Sequence, residues 1–255
     1  MTRTWIAFLL LLSALAHGAA EPRAPVHVFL LVGQSNMAGR AKPSQEDLKP
    51  VEGILLWNDQ GAWEAAVAPY NRYAVHRKKI FTGLNPGVTF ARTYQAAHPG
   101  VHIGIVCQAR GGTSIEQWLN RGPGNRMNLY QASIDAAKKA MESGSLKGIL
   151  WHQGESNSER VAAYPAQLKE LIRRFREDLH APDLPVVFSQ VGAWREAYKP
   201  FNEMIIRQPA NIPHTACVMT EGLGNRDSAH FDTAGQHLLG ERFAAALERL
   251  NKTRR

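Results

Sequence analysis

Three residues of this chain have the types and spacing needed for nucleophilic acyl transfer. Ser35 follows an apolar run, Val26–Val32, that ends at a glycine, and Asp227 and His230 lie three residues apart near the end of the chain. A hydroxyl nucleophile needs a base within hydrogen-bond reach, and the base needs an orienting carboxylate. In a turn, this spacing lets Asp227 hold His230 Nδ1–H while Nε2 points away. We therefore predict Ser35 as nucleophile, His230 as base and Asp227 as its acid partner.

Acyl transfer also needs donors for the negative charge that develops on the carbonyl oxygen. We predict three of them: the backbone N–H of Ser35, the backbone N–H of Gly112 and the side-chain amide of Gln153. Glycine suits a position where the backbone approaches a substrate closely, and glutamine offers two N–H donors without a charge. These residues form the candidate oxyanion hole.

Each of these residues also has an ordinary structural interpretation. Asp227 precedes a predicted helix and could cap it, as Asp often does. His230 could be a hydrogen-bonded structural histidine, Gly112 part of a turn, and Gln153 a surface residue. It is the joint presence of the set that favours catalysis over these alternatives.

Strands and helices alternate along the chain, which is typical of βαβ units. We predict five strands, at residues 26–32, 101–107, 148–151, 186–189 and 215–219, with amphipathic helices between them. Right-handed crossovers place helices on both faces of a parallel sheet. The predicted fold is a three-layer α/β/α sandwich with a five-stranded parallel sheet, and the polar loops named above converge at the carboxyl ends of its strands.

Residues 41–86 form a long connection rich in Pro, Gly, Asn and Trp, with a short hairpin expected around Ile54–Trp57. A connection of this length in a compact domain is usually functional. We expect this loop and the segment around Trp194 to shape the choice of substrate.

Four blocks of the sequence resemble those of the SGNH/GDSL hydrolase superfamily. They are Gly33–Met37 (GQSNM), Gly111–Ile115 (GGTSI), Trp151–Ser156 (WHQGES) and Asp227–Phe231 (DSAHF). They are most similar to the sialate O-acetylesterase-like branch, which includes the acetylxylan esterases of carbohydrate esterase family six. The resemblance extends over residues 26–250.

This resemblance implies a flavodoxin-like SGNH hydrolase fold with strand order 2-1-3-4-5 among the five predicted strands. It assigns the nucleophile, base, acid partner and oxyanion donors to the same residues as above. In this branch Glu155 is a second candidate for the acid partner of the histidine. The implied reaction is hydrolysis of O-acetyl esters on a carbohydrate, acetylxylan or a sialate-type sugar, without metal or cofactor.

The first 20 residues combine Arg3, an apolar run and a small-residue end, which is typical of a cleaved signal peptide. The run is too short for a comfortable membrane span, which takes about 20 apolar residues. We therefore expect a signal peptide at residues 1–20 and a single hydrolase domain at residues 21–255. We also expect a secreted or periplasmic location and no stable membrane anchor.

Charge and motifs argue against several other classes of protein. The formal net charge of +8 over 255 residues is modest, and no long basic stripe indicates nucleic-acid binding. No HExxH, CxxC or Walker A pattern indicates a metal or nucleotide cofactor, so we expect none. Cys107 and Cys217 fall in strands expected at opposite edges of the sheet, too far apart for a disulfide, and we expect two buried free thiols.

The sequence thus predicts an exported serine esterase that removes O-acetyl groups from an acetylated carbohydrate. Two alternatives stay open: a secreted carbohydrate-binding protein that keeps the fold without turnover, and a general short-chain carboxylesterase. We make no prediction of the oligomeric state.

Overall fold

The computed structural model describes residues 24–78, 83–120, 122 and 126–253. The predicted signal peptide at residues 1–20 lies outside these ranges. In the part of the chain that is described, no helix is both long enough and apolar enough to cross a membrane.

Seven strands of the described chain form one mixed sheet. They are β1 (Val26–Gly33), β2 (Ile54–Trp57), β3 (Trp63–Ala65), β4 (His102–Cys107), β5 (Ser145–His152), β6 (Val186–Ser189) and β7 (Thr215–Val218). Their order across the sheet is β3-β2-β4-β1-β5-β6-β7. Each neighbouring pair is parallel except β2 and β3, which are antiparallel.

The prediction of a five-stranded parallel sheet is wrong in the number and direction of strands. The five predicted strands are all present, and their order β4-β1-β5-β6-β7 corresponds to 2-1-3-4-5. The hairpin expected around Ile54–Trp57 adds β2 and β3 beside β4. Asn58 Oδ1 accepts hydrogen bonds from the backbone N–H groups of Gln60 and Ala62, each at 3.0 Å, and so closes the hairpin turn. Because of this turn, a segment that lacks regular alternation of apolar and polar residues extends the sheet.

Helices cover both faces of the sheet, so the three-layer α/β/α arrangement is confirmed. They are α1 (Ser35–Ala38), α2 (Gly87–Ala97), α3 (Ile115–Leu119), α4 (Leu129–Met141), α5 (Tyr164–Asp178), α6 (Lys199–Ile205) and α7 (Thr233–Lys252). Phe29 and Leu31 of β1 pack in the core formed with α2 and α7, while Leu30 and Val32 pack in the core formed with α4 and α5. From Val28 onward β1 is buried on both faces, and its sequence there is a continuous apolar run.

The loops after β1, β4 and β5 are tied together at one edge of the sheet. Gln34 N donates to His152 O at 2.9 Å, and Arg110 N donates to Gly33 O at 3.0 Å. Gly33 has a φ of 138°, and a Cβ at this position would lie 2.0 Å from His152 O. Only glycine permits this close approach of two backbones. The polar residues that follow the three strands are therefore brought together.

Both cysteines are free, as predicted, but two details of the prediction are wrong. Cys107 is buried, whereas Cys217 in the edge strand β7 is only partly buried. In addition, β4 is not an edge strand, because the β2–β3 hairpin covers its outer side. Strands β1, β5 and β6 still separate the two thiols, which is too far for a disulfide.

Candidate active site

Ser35, His230 and Asp227 form a continuous chain of hydrogen bonds. His230 Nε2 lies 3.0 Å from Ser35 Oγ, and His230 Nδ1 lies 2.8 and 2.9 Å from the two carboxylate oxygens of Asp227. Ser35 begins α1 directly after β1, and His230 lies in the loop just before α7. With its proton on Nδ1, the imidazole can accept the hydroxyl proton of Ser35 at Nε2. This geometry can activate a serine nucleophile.

Asp227 contacts His230 and does not cap the helix that follows. Asp232 caps α7, since its carboxylate accepts a hydrogen bond from Gly235 N at 2.7 Å. Asp227 Oδ1 accepts from the backbone N–H groups of Ala229 and His230, each at 2.9 Å. Burial alone raises the pKa of Asp227, but these hydrogen bonds and the His230 ring outweigh it and lower the pKa below its ordinary value. Asp227 is therefore ionised at neutral pH.

The backbone amides of Ser35 and Gly112 are available as donors. Within the described ranges, neither N–H donates to a protein acceptor. Ser35 is the first residue of α1, where N–H groups lack intrahelical partners. Gly112 has a φ of 75°, in the left-handed region, and Lys78 Nζ lies 3.5 Å from where a Cβ on Gly112 would be. A glycine at this position presents its backbone without strain.

The side chain of Gln153, the third predicted donor, is directed into the protein. Its Nε2 lies 3.0 Å from Gln34 Oε1, 3.1 Å from Thr113 O and 2.8 Å from Asn157 Oδ1. The Tyr164 hydroxyl donates to its Oε1 at 2.8 Å, so the neighbours fix which end of the amide is which. Because two N–H groups already serve three acceptors, Gln153 can donate to a substrate oxygen only by releasing one of them.

Gln34 is a residue of the site to which the sequence analysis gave no role. Its Oε1 accepts hydrogen bonds from Gln153 Nε2 and from the backbone N–H groups of Gly154 at 3.4 Å and Ser156 at 3.3 Å. The residue is 3% exposed, and its Nε2 contacts no acceptor among the residues that the structure describes. Gln34 therefore binds the loop after β1 to the loop after β5 and keeps an amide donor in the residue preceding Ser35.

Glu155, the second candidate for the acid partner, contacts a different histidine. Its Oε1 lies 2.6 Å from Asn36 Nδ2 and 3.2 Å from His152 Nε2, while His152 Nδ1 lies 2.5 Å from Ser189 Oγ. Burial alone raises the pKa of Glu155, but the interactions with His152 and Asn36 outweigh it and lower the pKa. The structure thus places a charged carboxylate in the interior, beside the loop of His230 but not on its ring.

Asn36 holds the loop that carries His230. Asn36 Nδ2 donates to Ala229 O at 3.0 Å, and Asn36 Oδ1 accepts from Phe231 N at 3.1 Å, so the side chain brackets the histidine. Asn36 is fully buried, and the same Nδ2 donates to Glu155. The position of His230 therefore depends on Asn36 and, through it, on Glu155.

The sequence contained a signal for Gln34 and Asn36. Both are polar residues directly after an apolar strand, and buried polar groups in proteins nearly always have hydrogen-bond partners. Their partners could not be identified from spacing, however. The contact of Gln34 with Gln153 spans 119 residues of sequence, and that of Asn36 with Ala229 spans 193.

Comparison with known proteins assigns the family. The model of a family described as "Carbohydrate esterase, sialic acid-specific acetylesterase" matches residues 25–249. This chain belongs to that family. A probable carbohydrate esterase from Arabidopsis thaliana is 28% identical over 247 residues, which cover 89% of this chain and 92% of the relative. The X-ray structure of the Arabidopsis protein matches with a TM-score of 0.78 and 27% identity, covering 88% of this chain and 98% of that one.

Two further solved structures have the same fold. A carbohydrate acetylesterase from Xanthomonas citri matches with a TM-score of 0.67 and 23% identity, covering 89% of this chain and 56% of that one. The structure of NanS matches with a TM-score of 0.68 and 16% identity, covering 91% of this chain and 99% of that one. These likenesses show the three-layer α/β/α fold described above.

The resemblance to the sialate O-acetylesterases is thereby confirmed. The prediction that the protein is an enzyme is confirmed as well. The esterase is a carboxylic ester hydrolase of the carbohydrate esterase type.

Proposed function

We propose that this esterase removes O-acetyl groups from a carbohydrate by a Ser-His-Asp acyl-enzyme mechanism. The observation that carries the proposal is the hydrogen-bond chain from Ser35 Oγ through His230 to Asp227, with distances of 3.0 and 2.8 Å. The family and the Arabidopsis relative, both described as carbohydrate esterases, support the substrate class.

The mechanism has two steps that use the same base. In the first, His230 Nε2 takes the proton of the Ser35 hydroxyl while Oγ bonds to the acetyl carbon, and Asp227 stabilises the imidazolium that forms. The ester C–O bond then breaks, and His230 gives its proton to the departing sugar oxygen. In the second step His230 takes a proton from water as the water oxygen bonds to the acetyl carbon of acetyl-Ser35. The bond from this carbon to Ser35 Oγ then breaks, His230 returns the proton to Oγ, and acetate is released.

The oxyanion of each step needs donors that are already in place. We assign this role to the backbone N–H groups of Ser35 and Gly112, because neither has a protein acceptor in the described part of the chain. Gln153 joins them once one of its N–H groups leaves its present acceptor. Loss of one such donor typically lowers kcat about 10²–10³-fold.

The test is acetate release from p-nitrophenyl acetate, acetylated xylan and an O-acetylated sialic acid. We expect Ser35→Ala to lower kcat/KM by at least about a thousandfold on every ester that the wild type hydrolyses. Ser145→Ala is the matched control, because Ser145 is exposed at the opposite end of β5. Substantial activity in Ser35→Ala would rule out Ser35 as the nucleophile.

The same measurements separate the two alternatives. Hydrolysis of p-nitrophenyl acetate without hydrolysis of any acetylated glycan would identify a general short-chain carboxylesterase. Absence of hydrolysis on every ester, together with glycan binding that Ser35→Ala leaves unchanged, would identify a carbohydrate-binding protein.

We also propose that residues 1–20 are a cleaved signal peptide and that residues 21–255 form one exported hydrolase domain. The support is the basic start, the short apolar run and the small-residue end of the leader. N-terminal sequencing of protein recovered from the periplasm or the medium is expected to begin near Glu21. Recovery of only cell-retained protein that begins at Met1 would contradict the proposal.

A further inference from the structure

A concave surface lies at the same edge of the sheet as Ser35. It is a groove of about 360 Å³ between the ends of β2 and β4 and helix α4, which we call the β2–α4 groove. Its walls include the rings of Trp57 and Tyr73, the amides of Gln108 and Gln131, and the carboxylate of Asp59. This volume and this mixture of aromatic and polar groups are typical of a small-ligand site.

The groove begins just after β4, the strand next to β1. On this side of the sheet β4 and β2 are the first and second neighbours of β1, and neighbouring strands lie about 4.8 Å apart. Arg110 N donates to Gly33 O at 3.0 Å, and the Arg110 guanidinium donates to the carbonyl of His76, which lines the groove. Arg110 therefore links the wall of the groove to the loop that precedes Ser35.

Gln108 supplies the groove with a hydrogen-bond donor. The residue is 9% exposed, and its Oε1 accepts a hydrogen bond from Val75 N at 3.0 Å, which fixes the orientation of the amide. Its Nε2 contacts no acceptor among the described residues. Since Gln108 lines the groove, this N–H group is open to it and can donate to a ligand hydroxyl there.

The charges in the groove favour a neutral ligand. Among its described lining residues, Asp59 and Asp135 are carboxylates and Lys139 is an ammonium, so no excess of positive charge attracts an acidic glycan. Asn128 and Gln131 lie exposed at the start of α4, and their amides can both donate and accept hydrogen bonds, as sugar hydroxyls require.

We infer that the β2–α4 groove binds a neutral sugar unit that lies next to the acetylated one in an oligosaccharide chain. Trp57, held edge to face by Trp63 at a centroid distance of 4.8 Å, supplies a rigid ring for the apolar face of a sugar, and Gln108 Nε2 supplies a donor for a hydroxyl. The inference rests on the proposed function, because the neighbouring unit carries the ester to Ser35. It also specifies the substrate class, an O-acetylated neutral oligosaccharide or polysaccharide.

The test begins with binding of sugars that carry no ester. Isothermal titration calorimetry of the full chain uses neutral xylo-, cello- and manno-oligosaccharides, with a sialylated oligosaccharide as the acidic comparison. Ala132→Trp fills the groove from α4, and Gln108→Leu removes the amide donor. Lys138→Trp is the matched control, because Lys138 is exposed on the same helix outside the groove.

We expect at least one neutral series to bind, Ala132→Trp to weaken this binding by at least about tenfold, and Gln108→Leu to weaken it about fivefold. Lys138→Trp is expected to bind as the wild type does. The inference is overturned if no neutral series binds, if Ala132→Trp binds normally, or if the sialylated ligand binds more tightly than the neutral ones.

Kinetics then separate failure of the groove from failure of the proposed function. For an acetylated neutral oligosaccharide, kcat/KM is expected to fall about tenfold in Ala132→Trp, while kcat/KM for p-nitrophenyl acetate stays unchanged. If the wild type binds a neutral oligosaccharide, Ala132→Trp abolishes this binding and the wild type hydrolyses no ester, the esterase mechanism is rejected and the groove is kept. Equal kcat/KM values for wild type and Ala132→Trp on the oligosaccharide would reject the groove and keep the mechanism.

Discussion

Two carboxylate–histidine pairs lie at the same edge of the sheet, and in both the residues are three positions apart. Asp227 contacts His230 at 2.8 Å, and Glu155 contacts His152 at 3.2 Å. The side chains of the first pair are 40% and 16% exposed, whereas those of the second are 5% and 0% exposed. Only the first pair contacts Ser35. The two pairs thus have the same spacing and similar side chains but lie in different surroundings.

The difference teaches that a carboxylate near a histidine does not by itself identify a catalytic acid partner. In the partly exposed pair, Asp227 and His230, which we call the open pair, the imidazole Nε2 is directed at the Ser35 hydroxyl. In the buried pair both imidazole nitrogens of His152 are used, one by Glu155 and the other by Ser189. Buried hydrogen bonds to a charge are strong. Glu155 holds Asn36 by such a bond, and Asn36 is hydrogen-bonded to the residues on either side of His230. We therefore interpret the buried pair as positioning the open one.

The largest contrast is expected between the two histidines. His230→Gln should lower kcat by at least about a thousandfold and leave the free energy of unfolding nearly unchanged, because the base is lost from a partly open site. His152→Gln should lower the free energy of unfolding by about 1–3 kcal/mol, because Glu155 and Ser189 lose a buried partner. Hydrolysis of p-nitrophenyl acetate and urea unfolding measure the two effects. A folded His152→Gln protein as inactive as His230→Gln would contradict the division of roles.

The two carboxylates should differ in the same way by a smaller factor. Asp227→Asn is expected to lower kcat by about 10²–10⁴-fold, because the amide no longer holds the reactive tautomer of His230. Glu155→Gln is expected to lower kcat about tenfold or less, with KM unchanged, because it acts through Asn36 and only displaces the base. Steady-state kinetics on p-nitrophenyl acetate distinguish these outcomes. A loss in Glu155→Gln equal to that in Asp227→Asn would make Glu155 the acid partner.

Much of the fold follows from the sequence because its pattern is local. The apolar run of β1 and the helical spacing of Leu239, Phe243 and Leu247 in α7 each identify a buried element directly. The hairpin strands β2 and β3 were harder to predict, since they are short and join the sheet only where β2 pairs with β4. Their place in the sheet is determined by contacts that are distant in sequence.

The site was predictable to the extent that its residues have recognisable chemistry. The sequence brought Ser35, Asp227 and His230 into one hypothesis, and the structure places them in hydrogen-bond contact. The direction of the Gln153 amide was not predictable, because it depends on Tyr164 and Asn157 in other elements. The sequence also could not distinguish the two carboxylates, since burial, which separates them, is a property of the folded chain.

Acid unfolding should sharpen the comparison in a third way. The pKa of Glu155 is lowered in the folded protein, so its contribution to stability is present above its ordinary pKa of 4.5 and is lost as the pH falls through the lower folded value. In Glu155→Gln the free energy of unfolding should therefore decrease less steeply as the pH is lowered below about 4.5. The change should be smaller in Asp227→Asn, because Asp227 is more exposed. Glu46→Gln, at an exposed surface position, is the control. If Glu155→Gln leaves the dependence of the free energy of unfolding on pH below 4.5 unchanged, Glu155 is not a charged interior carboxylate.

The smallest effect is expected at Ser189, which contacts His152 of the buried pair. Ser189 is 1% exposed, and its Oγ lies 2.5 Å from His152 Nδ1. Ser189→Ala should lower the free energy of unfolding by about 1 kcal/mol, because one buried hydrogen bond is lost, and should leave kcat within about twofold of the wild type. His152 keeps its contact with Glu155, so Asn36 and the loop of His230 stay in place. A large fall in kcat without a comparable loss of stability would mean that the buried pair itself takes part in proton transfer, and the two pairs would then have to be treated as one catalytic system.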